Sequence, residues 1–184
     1  MDRHDRTTQG AERLFFALLP GAEVRDAMRD RVDVLDPAPA GGRRVAAERY
    51  HITLHFLGRW EAVPPSTIEA AIHAAEMVHA SAFHLVVDHA GSFPSSRVGW
   101  LAPSGSSGLD ALWSGLGHAL EEAGVGPVPR DTYMPHVTVL RSVTVAMPEV
   151  TIEPVSWPVQ DFFLLLSRGG CYEEVARWKL GGAR

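Results

Sequence analysis

Two blocks of the chain place the same kinds of segment in the same order. Each begins with a short apolar run that ends in proline, LFFALLP up to Pro20 and VGWLAP up to Pro103. Each continues through an amphipathic helix pattern and a loop to a His-x-Thr triplet, which starts at His51 and at His136. The proline precedes the histidine by 31 residues in the first block and by 33 in the second. This matched spacing predicts two equivalent strand–helix–strand units.

The other segments also show strand-like or helix-like periodicity. Strands are predicted at 13–19, 51–58, 83–87, 97–102, 136–140, 151–155, 160–166 and 172–180, and helices at 24–35, 65–75 and 109–120. Ser66 and Glu69 have the spacing of a capping box at the start of the second helix. Strands and helices mixed along the whole length predict an α/β or α+β fold and exclude the all-helical and all-strand classes.

The composition is that of a globular protein with no broadly basic surface. The 184 residues, 46% of them hydrophobic and 21% charged, suit a single domain. The formal net charge of −5 argues against a surface that coats nucleic acid, although it permits a local basic cleft. Of the 17 cationic residues, all except Lys179 are arginine, which favours bidentate contacts to phosphate or carboxylate wherever arginines converge.

The ends and the single cysteine indicate a cytoplasmic protein. Residues 1–12 are polar and charged, so we expect a disordered leader before a single bilobal domain over 13–184. The longest strongly apolar run, 162–166, is far too short to span a bilayer. Cys171 cannot form an internal disulfide, and we expect it as a buried free thiol in a reducing compartment.

The His-x-Thr triplets place two polar side chains on one face of a strand. Residues two apart share a face, so His51 lies with Thr53 and His136 with Thr138, while Phe56 and the other apolar residues face the opposite way. If the two units are related by a pseudo-twofold axis, both pairs meet in one cleft. Two imidazoles can act there as base and acid near neutral pH, and the hydroxyls can donate to phosphoryl oxygens. This set of side chains suits phosphate ester chemistry and requires no metal.

Other interpretations of these residues are open. A single His-x-Thr is common on half-exposed strands, and only its repetition favours catalysis. His51 and His55 have the spacing of the zinc-binding HExxH helix, but Ile52 stands where the glutamate is needed and the pattern is that of a strand. We therefore expect no metal and no cofactor. His55 shares the face of His51 and is expected as a solvated residue beside the cleft.

The paired motifs, HITL at 51–54 and HVTV at 136–139, resemble those of the 2H phosphoesterases. HITLHFLG and PHVTVLR are most similar to the motif regions of the bacterial and archaeal RNA 2′,3′-cyclic phosphodiesterases, once called 2′-5′ RNA ligases (the LigT/ThpR group). The opening RLFFALLP, the middle GSFPSSRVGWLA and the closing LLLSRGGCYEEVARWKL also resemble that group. The resemblance runs from about Arg13 to Leu180.

The resemblance implies an α+β fold of two pseudo-symmetric lobes with antiparallel sheets around a central cleft that carries both motifs. It implies His51 as the proton donor, His136 as the proton acceptor, and Thr53 and Thr138 as ligands of the cyclic phosphate. Arg141 matches an arginine of the group that binds phosphate. Simple strand alternation puts Arg141 on the face opposite His136, so this role requires a bulge or a strand end.

The activity implied is metal-independent hydrolysis of a terminal RNA 2′,3′-cyclic phosphate to a 2′-phosphate. The expected partner is an RNA 3′ terminus or a small cyclic nucleotide, with no membrane, no obligatory protein partner and a monomer as the default state. Two alternatives are open: a related phosphodiesterase for another cyclic or 2′-5′-linked nucleotide, and a non-catalytic nucleotide- or RNA-binding module. The segment after Ser167 is shorter than in the group, so Ser167 and Tyr172 receive no role.

Overall fold

The protein has an α+β fold built on one large antiparallel sheet, which confirms the predicted class. The computed structural model describes residues 11–35, 40–126 and 133–181, which form nine strands and three α-helices. In chain order these are β1 (Glu12–Leu18), α1 (Ala22–Val34), β2 (Arg43–Arg44), β3 (Ile52–Trp60), α2 (Pro65–Glu76), β4 (Phe83–Phe93), β5 (Val98–Pro103), α3 (Ser107–Glu122), β6 (Val137–Arg141), β7 (Val150–Val159), β8 (Asp161–Arg168) and β9 (Cys171–Lys179). A 3₁₀ turn, Ala47–Arg49, precedes β3.

The sheet consists of two halves joined at its centre. Its strands lie in the order β7-β4-β5-β6-β3-β1-β8-β9, and the short β2 pairs with β6. Each neighbouring pair is antiparallel. The central strands β3 and β6 pair at one position, Ile52 opposite Val137. The side chains that flank this single pair therefore come from both halves.

The two predicted strand–helix–strand units occupy equivalent places in the two halves. In the first unit, β1 leads through α1 to β3, and Leu18 pairs with Ile52. In the second, β5 leads through α3 to β6, and Leu101 pairs with Val137. The predicted internal repeat is thereby confirmed, and the Ile52–Val137 pair brings the ends of the two units together.

Strand β1 is buried on both of its faces. Phe16 belongs to the main core, which also contains the buried residues of the helices, whereas Phe15 and Ala17 join Phe163 and Leu165 in a smaller cluster on the opposite face. A strand covered on both sides carries apolar residues continuously rather than alternately, which explains the run LFFAL. The second cluster supports the face of the sheet that carries the motif side chains.

The first described strand begins one residue before the predicted domain start. The carboxylate of Glu12 is buried, accepts the backbone N–H of Val63 at 2.8 Å and pairs with Arg168 at 2.8 Å. These contacts fix the beginning of β1, and the other predicted leader residues, except residue 11, lie outside the described segments. None of the helices in these segments is long and apolar enough to cross a membrane.

Two local predictions are wrong. Ser66 does not cap α2, because the helix begins at Pro65 with Pro64 as its N-cap and no side-chain cap is formed. A proline in the first helical position already lacks the N–H that such a cap would satisfy. Cys171 is exposed rather than buried, because it follows the tight β8–β9 turn at Gly169.

Candidate active site

A cavity of about 430 Å³ lies against the face of the sheet that carries the first motif. Ten side chains form its wall: Arg13, Phe15, Arg43, Arg49, His51, Thr53, Phe56, Arg141, Ser167 and Tyr172. Three of the five predicted site residues, His51, Thr53 and Arg141, are among them. Both Ser167 and Tyr172, to which the sequence assigned no role, also line the cavity.

The other two predicted residues lie at the junction of β3 and β6. The apolar residues at the centres of the two motifs pair across these strands. Continuing that antiparallel register puts His51 opposite Thr138 and Thr53 opposite His136. All four residues of the paired motifs therefore lie together, although His136 and Thr138 do not themselves line the cavity wall.

The two histidine rings are held in the same way by the backbone. Nδ1 of His51 donates to the carbonyl oxygen of Arg49 at 2.8 Å, and Nδ1 of His136 donates to that of Met134 at 2.8 Å. A carbonyl oxygen can only accept, so Nδ1 carries the proton in both rings. The nitrogen free to take up or release a proton is then Nε2 in each motif.

Aromatic side chains fix the planes of both rings. Phe15 and Tyr172 lie against His51 with ring centroids 5.3 and 5.2 Å away. Phe93 contacts His136 edge-on at 5.0 Å. These contacts limit rotation of the imidazoles and remove water from one side of each ring, which contributes to their desolvation.

Both histidines have pKa values lowered from the ordinary 6.5. Burial is the largest cause in each case, and the hydrogen bond to the backbone carbonyl opposes it. The positive charge of Arg141 lowers the pKa of both rings, and the charges of His136 and Arg49 lower that of His51 further. The free protein therefore favours neutral imidazoles.

Arg141 shares the face of the second motif because β6 contains a bulge. Consecutive residues of β5 pair with Leu140 and Thr138, which leaves Val139 as an extra residue on β6. Val139 and Leu140 are both buried, and Arg141 returns to the cavity side with Thr138. The condition for a phosphate-binding role of Arg141 is thus met.

An equivalent bulge in β3 turns His55 away from the cleft. Consecutive residues of β1 pair with His55 and Thr53, so Leu54 is the extra residue. His55 is 9% exposed, and its Nε2 donates to the carbonyl oxygen of Trp113 at 2.8 Å. The prediction of a solvated residue is wrong, because strand alternation does not continue through a bulge. For the same reason Phe56, predicted to face the opposite way, is 45% exposed and lines the cavity.

Three arginines of the wall were missed by sequence reasoning: Arg13, Arg43 and Arg49. With Arg141 they give four guanidinium groups, and no carboxylate of the described residues lines the cavity. Within the same part of the chain, none of the four forms an ion pair with Asp or Glu. A chain of net charge −5 therefore contains a strongly cationic cavity. The preference for arginine over lysine was the only feature of the sequence that indicated this cationic cavity.

The arrangement combines groups that serve phosphoryl transfer. Two imidazoles can exchange protons, two hydroxyls can donate hydrogen bonds, and several guanidinium groups can offset phosphate charge. In the described stretches, no group of three or more His, Cys, Asp or Glu side chains is arranged to hold a metal ion.

Comparison with known proteins identifies the family. A model of the 2′-5′ RNA ligase superfamily matches residues 24–170. The RNA 2′,3′-cyclic phosphodiesterase of Escherichia coli (strain K12) is 34% identical over 178 residues, which cover 92% of this chain and 97% of that protein. The crystal structure of E. coli LigT with 3′-AMP is 32% identical, with a TM-score of 0.79 over 92% of this chain and 98% of that one. A Thermus thermophilus protein, TT0787, is 24% identical over 94% of this chain and 100% of its own, and it shares the fold with a TM-score of 0.75. This chain belongs to the 2′-5′ RNA ligase superfamily.

Proposed function

We propose that this protein hydrolyses the terminal 2′,3′-cyclic phosphate of RNA to a 2′-phosphate by metal-independent acid–base catalysis. The equivalent hydrogen bonds of His51 and His136 carry the proposal, since each holds Nδ1 at 2.8 Å from a carbonyl oxygen and leaves Nε2 for proton exchange. A binding module would not require two imidazoles with matched tautomers. The name and the 34% identity of the E. coli relative support the same chemistry.

The reaction uses the two histidines in opposite protonation states. Neutral His136 accepts a proton from water at Nε2 while the water oxygen forms its bond to phosphorus. Protonated His51 donates its Nε2 proton to the 3′ oxygen as the P–O3′ bond breaks, and the 2′ ester remains. Each proton transfer contributes roughly 10²–10⁴-fold to the rate. His136 then releases its proton to solvent and His51 takes up a proton from solvent, which restores both residues.

Three further side chains act on the phosphate in this proposal. The hydroxyls of Thr53 and Thr138 donate to the equatorial oxygens, where negative charge develops in the transition state. The guanidinium of Arg141 offsets that charge, and its planar donors suit a phosphate. Neutral hydroxyls and a permanent cation need no proton exchange during the reaction.

Binding of the substrate favours the protonated form of His51. In the free protein, burial and the charges of Arg141, His136 and Arg49 keep the pKa of His51 low. A bound phosphate places a negative charge beside the ring and raises that pKa again. His51 therefore becomes an effective acid in the complex.

The test is hydrolysis of a nucleoside 2′,3′-cyclic monophosphate and of a cyclic-phosphate-ended oligonucleotide in the presence of EDTA. We expect the 2′-phosphate as the product and a loss of about 10²-fold or more in both His51→Ala and His136→Ala. His118→Ala, which changes an exposed histidine of α3, is the matched control and should retain wild-type activity.

Each other outcome has a defined meaning. Turnover of a 2′-5′-linked or different cyclic nucleotide in place of these substrates would replace the proposed substrate and keep the mechanism. Binding of nucleotide without turnover by folded wild-type protein would exclude catalysis and favour a binding module. We propose a monomer acting in the cytoplasm on an RNA 3′ terminus or a small cyclic nucleotide, and the 3′-AMP complex of E. coli LigT supports a nucleotide ligand.

A further inference from the structure

The cavity contains more positive charge than the reacting group requires. A 2′,3′-cyclic phosphate is a diester and carries one negative charge. Four guanidinium groups line the cavity, and no carboxylate of the described residues lies beside them in its wall. The ligand that matches this wall has at least one further anionic group.

The four arginines divide into an inner and an outer pair. Arg49 contacts Tyr172 (Nη2 to Oη, 3.4 Å), whose ring lies 5.2 Å from that of His51, and Arg141 shares the face of the second motif. Arg13 and Arg43 line the same cavity, and neither is among the described residues that form a hydrogen bond or a ring contact with the motif histidines. The outer pair is therefore available to a group beyond the cyclic phosphate.

The outer pair is held without charge compensation from the described residues. Arg43 pairs with Arg141 across β2 and β6, and like charges directly opposite one another destabilise a sheet. The neighbouring Arg44 instead forms an ion pair with Asp33. Arg13, on β1, has an exposed side chain and forms no ion pair with a described carboxylate. An anionic ligand across the cavity relieves the repulsion that this arrangement creates.

We propose that Arg13 and Arg43 form a second phosphate subsite, which binds the phosphodiester on the 5′ side of the terminal nucleotide. The preferred substrate class is then an RNA end with at least two nucleotides rather than a cyclic mononucleotide. This inference rests on the proposed function, because the terminal cyclic phosphate fixes the register of the chain in the cavity.

The test compares kcat/KM for three substrates of the full-length protein. They are adenosine 2′,3′-cyclic monophosphate, a diadenosine with a terminal 2′,3′-cyclic phosphate, and the same dinucleotide with an uncharged methylphosphonate linkage. We expect the charged dinucleotide to exceed the mononucleotide by about tenfold, the size of one charge-assisted contact at a partly exposed site. The methylphosphonate should lose most of this advantage, and added salt should reduce it.

Substitutions then identify the residues that give the dinucleotide its higher kcat/KM. Arg13→Gln and Arg43→Gln should each bring the dinucleotide-to-mononucleotide ratio towards one. Arg29→Gln is the matched control, because Arg29 is exposed on α1, pairs with Asp26 and Asp30 and does not line the cavity. It should keep the wild-type ratio.

Two results would overturn the inference. The first is a dinucleotide-to-mononucleotide ratio of kcat/KM that remains unchanged in Arg13→Gln and Arg43→Gln. The second is an advantage that the methylphosphonate retains in full, since base contacts such as stacking on Phe56 would then explain it. Calorimetric titration with the 2′-phosphate mononucleotide and dinucleotide products compares their binding affinities without turnover. Failure of the subsite is therefore distinguishable from failure of the proposed hydrolysis.

Discussion

The hydroxyl of Tyr133 donates a hydrogen bond of 3.1 Å to the backbone carbonyl oxygen of Thr53. Tyr133 directly precedes Met134, whose own carbonyl orients the ring of His136. Its ring stacks on Trp113 of α3 with centroids 4.9 Å apart. Burial raises the pKa of Tyr133, so the hydroxyl remains a neutral donor. One side chain thus connects the segment before the second motif to the backbone of the first.

Tyr133→Phe should lower kcat about 3- to 10-fold and destabilise the fold by about 1 kcal/mol, because it removes one hydrogen bond to the backbone of the first motif. The measurements are steady-state kinetics and thermal unfolding. Tyr50→Phe is the control, since the hydroxyl of the buried Tyr50 forms no hydrogen bond with the backbone of either motif among the described residues. Equal effects of the two variants on kcat would mean that Tyr133 does not position Thr53.

A sulfur atom in place of the bridging 3′ oxygen should separate the roles of the two histidines. Sulfur leaves without needing a proton, so a general acid is no longer required. His51→Ala should therefore recover most of its rate on this substrate, whereas His136→Ala should remain impaired. Recovery of His136→Ala instead would reverse the assignment of acid and base.

The pH dependence of kcat/KM should have its maximum below pH 6.5. This parameter reports the free protein, in which both histidine pKa values are lowered from 6.5. Activity requires one charged ring, so it falls as the pH rises through the higher of the two values. The maximum of kcat should lie at a higher pH than that of kcat/KM, because the bound phosphate raises the pKa of His51. Coincident profiles would show that the substrate does not change the protonation of the site.

Arg141→Gln should lower kcat/KM by roughly 10- to 100-fold, because a charge-assisted donor to the phosphate is lost. It should also move the kcat/KM optimum to higher pH, since the guanidinium lowers the pKa of both histidines. Arg59→Gln, outside the cavity, controls for the change in net charge. A lower kcat/KM with an unchanged pH optimum would show that Arg141 does not affect the protonation of the two histidines.

The buried His55 should make the fold less stable in acid. Its pKa is lowered by burial, so below pH 6.5 the unfolded chain takes up a proton that the folded state resists. The free energy of unfolding should therefore decrease as the pH falls below this value. His55→Gln should show a smaller decrease than the wild type, and the exposed His118→Gln should match the wild type. Identical pH dependence in all three proteins would contradict the burial of a neutral His55.

The local pattern of the sequence determined where most of the strands and helices lie and which motif residues share a strand face. The alternation in HITL and HVTV placed His51 with Thr53 and His136 with Thr138, because these residues precede the bulges. The continuous apolar run of β1 correctly predicted a buried strand. Period and spacing are local properties, and a sequence records them directly.

The tertiary structure decided everything that depends on register. The extra residues Leu54 and Val139 sent His55 into the core and returned Phe56 and Arg141 to the cavity. No residue in either strand signals such a bulge, because it arises from the fit between neighbouring strands. Likewise, Arg43 reaches the cavity because β2 pairs with β6, a contact between distant parts of the chain. That pairing brings Arg43 beside Arg141 in the cationic site, which the net charge of −5 permits but does not indicate.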